Sequence, residues 1–181
     1  MALFDITGFK AALGTGSRPN LFELSITGTG VDADFSKFPI LCRSASLPGS
    51  TIGLIDVPVP GGRRLRLGGN RTYVEWTTTF LNDKDFNLRD AFEKWQNRIV
   101  STDFSRSTIG DRENFRRGSE TVETTVVVKQ LRGNGTEVGA GTYSLVNCWP
   151  QDISAIDLSY DTVDAIEEFT VTWSYDYYVR G

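Results

Sequence analysis

Alternation of apolar and polar residues with a period of two recurs along this 181-residue chain and restricts its fold more than any other feature. Phe22, Leu24 and Ile26 fall on one side of an extended segment, with Glu23, Ser25 and Thr27 on the other. Val74, Trp76, Thr78 and Phe80 alternate with Tyr73, Glu75, Thr77 and Thr79. Near the end of the chain, in a strand predicted over 166–179, Phe169, Val171, Trp173, Tyr175 and Tyr177 alternate with Glu168, Thr170, Thr172, Ser174 and Asp176. Successive side chains of a strand point to opposite faces, so each segment reads as a strand buried on one side. Further strands are predicted over 38–45, 121–131 and 141–149, the last two joined by the turn signal Gly133-Asn134-Gly135.

One helix interrupts the pattern. Asn82, Asp83 and Asp85 supply capping groups before 86–100, where Leu88, Phe92, Trp95 and Ile99 recur at helical spacing and form an apolar stripe suited to lie on a sheet. The expected fold class is therefore mainly β: a single-domain antiparallel β-sandwich or open barrel of six to eight strands, flanked by one helix. A chain of this length buries roughly 70% of its unfolded surface, enough for one self-sufficient core.

Three segments stand outside that core. Residues 1–20 form a short amphipathic arm, with a turn of helix expected near Phe9 to Leu13. Residues 47–69 read as a projecting loop. Leu47-Pro48-Gly49-Ser50 turns the chain, Pro58 and Pro60 cannot donate to a sheet ladder, and Gly61 to Gly69 brackets Arg63, Arg64 and Arg66 in alternation with leucines, a strand that can add to another subunit's sheet edge. Residues 101–120 are a long polar loop carrying Arg106, Arg112, Arg116 and Arg117.

The chain offers little catalytic chemistry. It has no histidine, which removes the commonest general base, the usual catalytic triads and most zinc sites. Its two cysteines, Cys42 and Cys148, sit in apolar stretches and are expected as free packed thiols. The close acid pairs Asp83/Asp85 and Glu167/Glu168 lie at a turn and on diverging strand positions. Asp152, Asp157, Asp161 and Asp164 are spread too loosely for a calcium loop. No cofactor or metal is expected. No 18-residue apolar run and no secretory leader pattern is present, so the cytoplasm of the producing cell is the expected compartment.

Charge is unevenly distributed around a net −4. Gly133 to Val179 contains no Lys or Arg, whereas Val57 to Val74 carries Arg63, Arg64, Arg66 and Arg71 without an acid. A chain with one basic and one acidic region can complement a copy of itself head to tail, and such heterologous contacts generate rings and filaments. Two unrelated solvated surfaces would give the same charge pattern.

An ordered set of short motifs now carries a resemblance. Arg18-Pro19-Asn20-Leu21-Phe22, Cys42-Arg43-Ser44-Ala45-Ser46-Leu47-Pro48-Gly49, Gly69-Asn70-Arg71-Thr72-Tyr73, Trp76-Thr77, Asn82-Asp83, Phe92-Glu93-Lys94-Trp95-Gln96, Trp149-Pro150 and the segment from Glu168 to Tyr178 follow one another as in tail tube proteins of contractile-tailed phages. The chain resembles that family from about residue 18 to 179, and through it the tubes of R-type bacteriocins and type VI secretion systems.

The resemblance implies a protomer that closes hexameric rings with a continuous inner β-barrel. The rings would stack inside a contractile sheath and conduct DNA without binding it specifically. It implies as partners further copies of the chain, the sheath, baseplate and tail-terminator proteins, and a tape-measure protein that precedes DNA in the lumen. The place would be the virion, assembled in the host cytoplasm without membrane insertion. Carried onto this sequence, contacts between rings fall on Leu47, Pro48, Ile52, Ile55, Val57, Arg63, Arg64 and Arg66. Glu75, Thr77, Thr79, Glu168, Thr170 and Thr172 are candidates to face the lumen. A baseplate tube-initiator or hub ring of the same fold is an alternative. More remote are a small-ligand-binding β-barrel, which needs an apolar cavity with convergent polar groups, and an esterase or glycosidase on a β scaffold, which needs a base or paired acids in a cleft.

Overall fold

A computed structural model describes residues 5–14, 16–27, 33–99, 124–161 and 163–181; the predicted polar loop 101–120 lies outside them. In chain order the elements are α1 (Ile6–Leu13), β1 (Phe22–Thr27), α2 (Phe38–Leu41), β2 (Cys42–Ala45), β3 (Ser50–Val59), β4 (Arg63–Tyr73), β5 (Trp76–Leu81), α3 (Asn87–Ile99), β6 (Thr124–Leu131), β7 (Glu137–Ile153), β8 (Glu168–Ser174) and β9 (Tyr177–Arg180). The strands run β1-β6-β7-β8-β5-β2, with β9 also on β7, and β3 and β4 form a separate two-stranded ribbon. Every pairing is antiparallel, as the alternating pattern implies.

The seventeen-residue strand β7 belongs to both halves of the main sheet. Its first part pairs with β6 and β9, and from Trp149 onward it pairs with β8. The strand bends at Asn147, whose φ of 56° places it in the left-handed region that asparagine tolerates better than most residues. Asp176 marks the reciprocal break between β8 and β9. Its N–H donates to Val146 O at 3.1 Å and its carboxylate accepts from Asn147 Nδ2 at 2.7 Å. The continuous strand predicted over 166–179 is thus two strands with a corner between them.

Phe38 to Leu41 also differs from expectation. It is a short helical turn rather than the start of a strand, and only Cys42–Ala45 is extended. Pro39 suits a first helical turn, where its missing N–H costs nothing, and Leu41 N donates to Lys37 O at 2.9 Å. The N-terminal helix is longer than expected and is capped by Asp5, which accepts from Thr7 N at 3.1 Å. Helix α3 falls where its apolar stripe puts it, and buries Leu88, Ala91, Phe92, Trp95 and Ile99.

Those side chains cover one face of β5 and β8. Phe92 meets Phe35 and Phe80 at 5.4 Å, Trp173 at 5.6 Å, Phe169 at 6.1 Å and Phe38 at 6.2 Å between ring centroids. Trp173 also lies 5.9 Å from Trp76 and from Trp95, and its indole N–H donates to Thr78 Oγ1 at 2.8 Å. Thr78 is almost fully buried, so this hydrogen bond satisfies both polar groups inside an aromatic cluster. Leu24, Val126, Val128, Leu145 and Cys148 extend the same core beneath β1, β6 and β7.

Lys37 ties the α2 turn to the entrance of α3, its ammonium 2.6 Å from the Asp83 carboxylate. Asp83 also accepts weakly from Leu88 N at 3.4 Å and Asn87 Nδ2 at 3.3 Å. The Lys37 hydrogen bond is the main force holding the Asp83 carboxyl below its ordinary value, against an opposing contribution from burial.

Thr78→Val removes the acceptor while keeping the shape, and leaves a buried indole N–H unpaired. Urea denaturation followed by circular dichroism should register a loss of about 1–3 kcal/mol. Asp83→Asn removes a carboxylate that is more acidic folded than unfolded. Its contribution is present above the unfolded value near 4 and lost as pH falls through the lower folded value. The Tm gap between wild type and Asp83→Asn should therefore be widest near neutrality and close below about pH 4.

Candidate functional site

Strands β3 and β4 leave the body of the protein as a ribbon. Val59 pairs with Arg63, and the three residues between them, Pro60-Gly61-Gly62, reverse the chain. Gly61 and Gly62 take φ values of 96° and 77°, which side-chain-bearing residues adopt at a cost. Segment 63–69 therefore pairs with β3 of its own chain. Ten strand residues at about 3.3 Å each give the ribbon a length of ~33 Å. Gly69 makes close pairing possible near the root, where a Cβ would meet Gly53 O at 3.1 Å and Ile55 Cγ1 at 3.3 Å.

Register divides the ribbon into two faces. Ile55 opposes Leu67 and Val57 opposes Leu65, giving an apolar face that ends at Val59 and Arg63. Asp56 opposes Arg66 and Pro58 opposes Arg64 on the other face, where the Asp56 carboxylate lies 3.7 Å from Arg64 and 3.6 Å from Arg66. Neither face is covered. Ile52, Leu54 and Ile55 are 57%, 62% and 50% exposed, and Leu47, Val57, Arg63, Arg64 and Arg66 are exposed as well. Pro48, in contrast, is buried at the root.

A group of tyrosines holds that root. Tyr73 at the end of β4 packs on Tyr178 at 5.3 Å and Tyr175 at 6.0 Å, and Tyr178 packs on Tyr143 of β7 at 5.6 Å. Tyr175 OH donates to Val74 O at 2.7 Å, and Ser50 Oγ and Tyr178 OH share a hydrogen bond at 3.2 Å. Alternation puts Tyr175 on a strand face but carries no signal of this cluster, because its tyrosines come from three distant segments.

The second candidate surface is the face of β5 and β8 turned away from the aromatic core. Thr77 opposes Thr172 and Thr79 opposes Thr170, so these four predicted residues form one block. Glu168 opposes Leu81 at the block's end, while Glu75 lies just before β5 and outside its ladder. Ser44 of β2 and Asp152 of β7 extend the block sideways, opposite Thr79 and Thr172. Arg43, at an irregularity in β2, forms an ion pair with Glu168. An arginine two strands from β8 in the ladder order thus reaches one of the carboxylates of this face.

Nothing in these surfaces prepares a nucleophile. Both cysteines are free, Cys148 is fully buried, and burial pushes the Cys42 thiol up to about 12 and that of Cys148 higher still. Among the described residues no three His, Cys, Asp or Glu side chains converge as metal ligands, and no helix is long and apolar enough to cross a membrane.

Known proteins share both the sequence and the fold. The family model described as phage tail tube protein matches residues 17–181. Tail tube protein gp19 of Enterobacteria phage T4 is 26% identical over 165 residues, covering 91% of this chain and 92% of that protein. The tail tube protein of Serratia phage KSP90 is 27% identical over 136 residues, covering 75% and 71%. Among solved structures, a chain of the PVC extracellular contractile injection system, from its extended sheath-tube complex, superimposes with a TM-score of 0.64 at 14% identity, covering 98% of each chain. A chain of the anti-feeding prophage tube-terminating cap does so with a TM-score of 0.65 at 16% identity, covering 99% and 97%. The match to the family model spans the nine strands of the described residues and the aromatic core, and the chain belongs to the phage tail tube protein family.

Proposed function

We propose that this chain is the repeating subunit of a contractile phage's tail tube, a structural role without catalysis, with six copies closing a ring and rings stacking into a hollow tube. The observation that carries this reading is the ribbon. A two-stranded hairpin is marginal in water without further cover, yet this one exposes Ile55, Val57, Leu65 and Leu67 along one face. Burial of that face by a neighbouring ring supplies the missing cover. Ile52, Arg63, Arg64 and Arg66 lie on the same projection, and Leu47 and Pro48 stand at its root. The family's relatives carry the name tail tube protein, and similar folds occur in assemblies described as a sheath-tube complex and a tube-terminating cap. Sheath, baseplate and terminator proteins are accordingly the partners expected of the finished tube, which would be assembled in the host cytoplasm and carried in the virion.

The threonine block suits the wall of a channel. Thr77, Thr79, Thr170 and Thr172 offer short hydroxyls without net charge, and Arg43 is held against Glu168 rather than presented alone. DNA carries one phosphate charge per ~1.7 Å of helix axis, and a lining with unpaired cations would retain it. A tape-measure protein and then DNA pass such a wall without specific contacts.

Negative-stain electron microscopy of the concentrated protein should show rings or hollow rods. The variant Arg63→Glu/Arg64→Glu/Arg66→Glu should keep the wild-type circular dichroism spectrum and stop at species no longer than a single ring. Full-length rods from that variant would remove the hairpin from the stacking contact, and a wild-type protein that remains monomeric on concentration would count against self-assembly.

A further inference from the structure

The topology that places the ribbon also places its counterpart. Strands β5 and β8 pair from Trp76–Trp173 at one end to Leu81–Glu168 at the other. The ribbon is rooted beside the first pair, because β4 runs into β5 and ends at Tyr73. The connection between β7 and β8, described over 154–161 and 163–167, leaves β7 after Ile153 and enters β8 at Glu168, beside the second pair. Ribbon root and connection thus stand at opposite ends of the same strands, separated by six strand positions, or about 17 Å.

Their chemistry is opposite as well. The ribbon carries Arg63, Arg64, Arg66 and Arg71 against the single carboxylate Asp56. The connection carries Asp157, Asp161, Asp164 and Glu167 and no cation. Both expose apolar side chains among the charges. Leu158 and Val163 are 80% and 83% exposed and Tyr160 is fully exposed, facing solvent where a monomer gains nothing from them. A groove of about 520 Å³ opens between the two arms of the connection, lined by Ile156, Leu158, Tyr160 and Ile166 with Asp157 and Glu167. Its base is fixed by the body of the protein: Arg89 Nη1 donates to Ser154 O at 3.1 Å, and Glu167 accepts from Asn82 Nδ2 at 2.9 Å.

We infer that the 154–167 connection is the receptor for the β3–β4 ribbon of a second copy of this chain in the next ring. The inference rests on the reading of the ribbon as the stacking arm and adds the surface that receives it. The apolar face of the ribbon, Ile55, Val57 and Leu65, seats against Leu158, Tyr160 and Ile166 with Arg63 at its end, while the long side chains of Arg64 and Arg66 reach from the opposite face past the ribbon's edge toward Asp157, Asp161 and Asp164. Because donor and receptor lie at opposite ends of one protomer, the contact is heterologous and repeats without closing along the tube axis. The charges set register and the apolar residues supply area.

A charge exchange tests the pairing in the full-length protein. The loop variant Asp157→Lys/Asp161→Lys/Asp164→Lys alters exposed carboxylates that make no side-chain ion pair among the described contacts, and should leave the Tm unchanged while shortening rods to single rings, as the hairpin variant Arg63→Glu/Arg64→Glu/Arg66→Glu does. Combining both sets restores opposite charges and should restore rods. A milder variant, Asp157→Asn/Asp161→Asn/Asp164→Asn, guards against misfolding of the lysine form. It should shorten mean rod length about tenfold and make that length insensitive to salt, since surface charges are screened beyond ~8 Å at physiological ionic strength. Full-length rods from both loop variants, with the hairpin variant still arrested, would overturn the receptor and leave the stacking arm standing. Full-length rods from the hairpin variant would overturn both. Arrest of the combined variant, with its Tm intact, would also overturn the pairing of these two surfaces.

Discussion

Trp173 is the side chain on which the rest of the arrangement depends. Its ring touches Phe38, Trp76, Phe92 and Trp95, so one residue of β8 contacts the turn before β2, the start of β5 and the covering helix. Burying an aromatic side chain of this size removes 150–250 Å² from water, and edge-to-face packing adds a directional preference. The Thr78 hydroxyl fixes the ring further, because only one orientation of the indole brings its N–H to that acceptor. Once this face of β5 and β8 is committed to the core, strict alternation commits the other face to Thr77, Thr79, Thr170 and Thr172. The polar face is thus a consequence of the aromatic cluster and cannot be moved without it.

The same commitment fixes the two projections. Where β8 ends, Asp176 and Asn147 turn two strands together, and the turn delivers Tyr175 and Tyr178 to the root of the ribbon. The direction of the ribbon is therefore set by the corner in β7, even though none of its own residues is buried. At the other end Arg89 lies over the Phe169 ring at 5.6 Å and reaches Ser154, so the covering helix also positions the acidic connection. Core, corner and helix together hold two solvent-exposed features at a fixed separation, which a regularly repeating assembly requires.

Much of this was legible in the sequence, for reasons that differ by region. Residues 76–80 and 168–173 were readable because one face is buried and the other wet, so periodicity records the environment directly. The stripe Leu88, Phe92, Trp95 and Ile99 gave the helix in the same way. Phe38 to Leu41 misled because a short apolar run has no period, and the helix-starting role of Pro39 depends on contacts made by Phe35 and Lys37. The corner at Asp176 was invisible for a different reason: its cause is a residue 29 positions away. For the candidate surfaces, alternation gave the threonine block, while the Arg43–Glu168 ion pair and the tyrosine root are long-range meetings that no local pattern encodes. The prolines and glycines of 58–69 fall in the exposed hairpin, but they do not encode that its two arms satisfy each other.

That self-pairing bears on how an exposed, partly apolar ribbon avoids indiscriminate association. A free strand with the residues of 63–69 would offer unpaired N–H and C=O groups to any sheet edge. Paired with β3, half of those groups are already satisfied. On the β3 side Pro58 has no N–H to offer, and on the β4 side arginines flank the edge. Asp56 partly neutralises Arg64 and Arg66 within the ribbon, at distances where an exposed ion pair is weak and readily exchanged for another carboxylate. What remains for a partner is one apolar face that ends at Arg63, with Arg64 and Arg66 on the face behind it. A surface that combines apolar side chains with several carboxylates meets that description, and an unselective hydrophobic patch or an unselective strand edge does not.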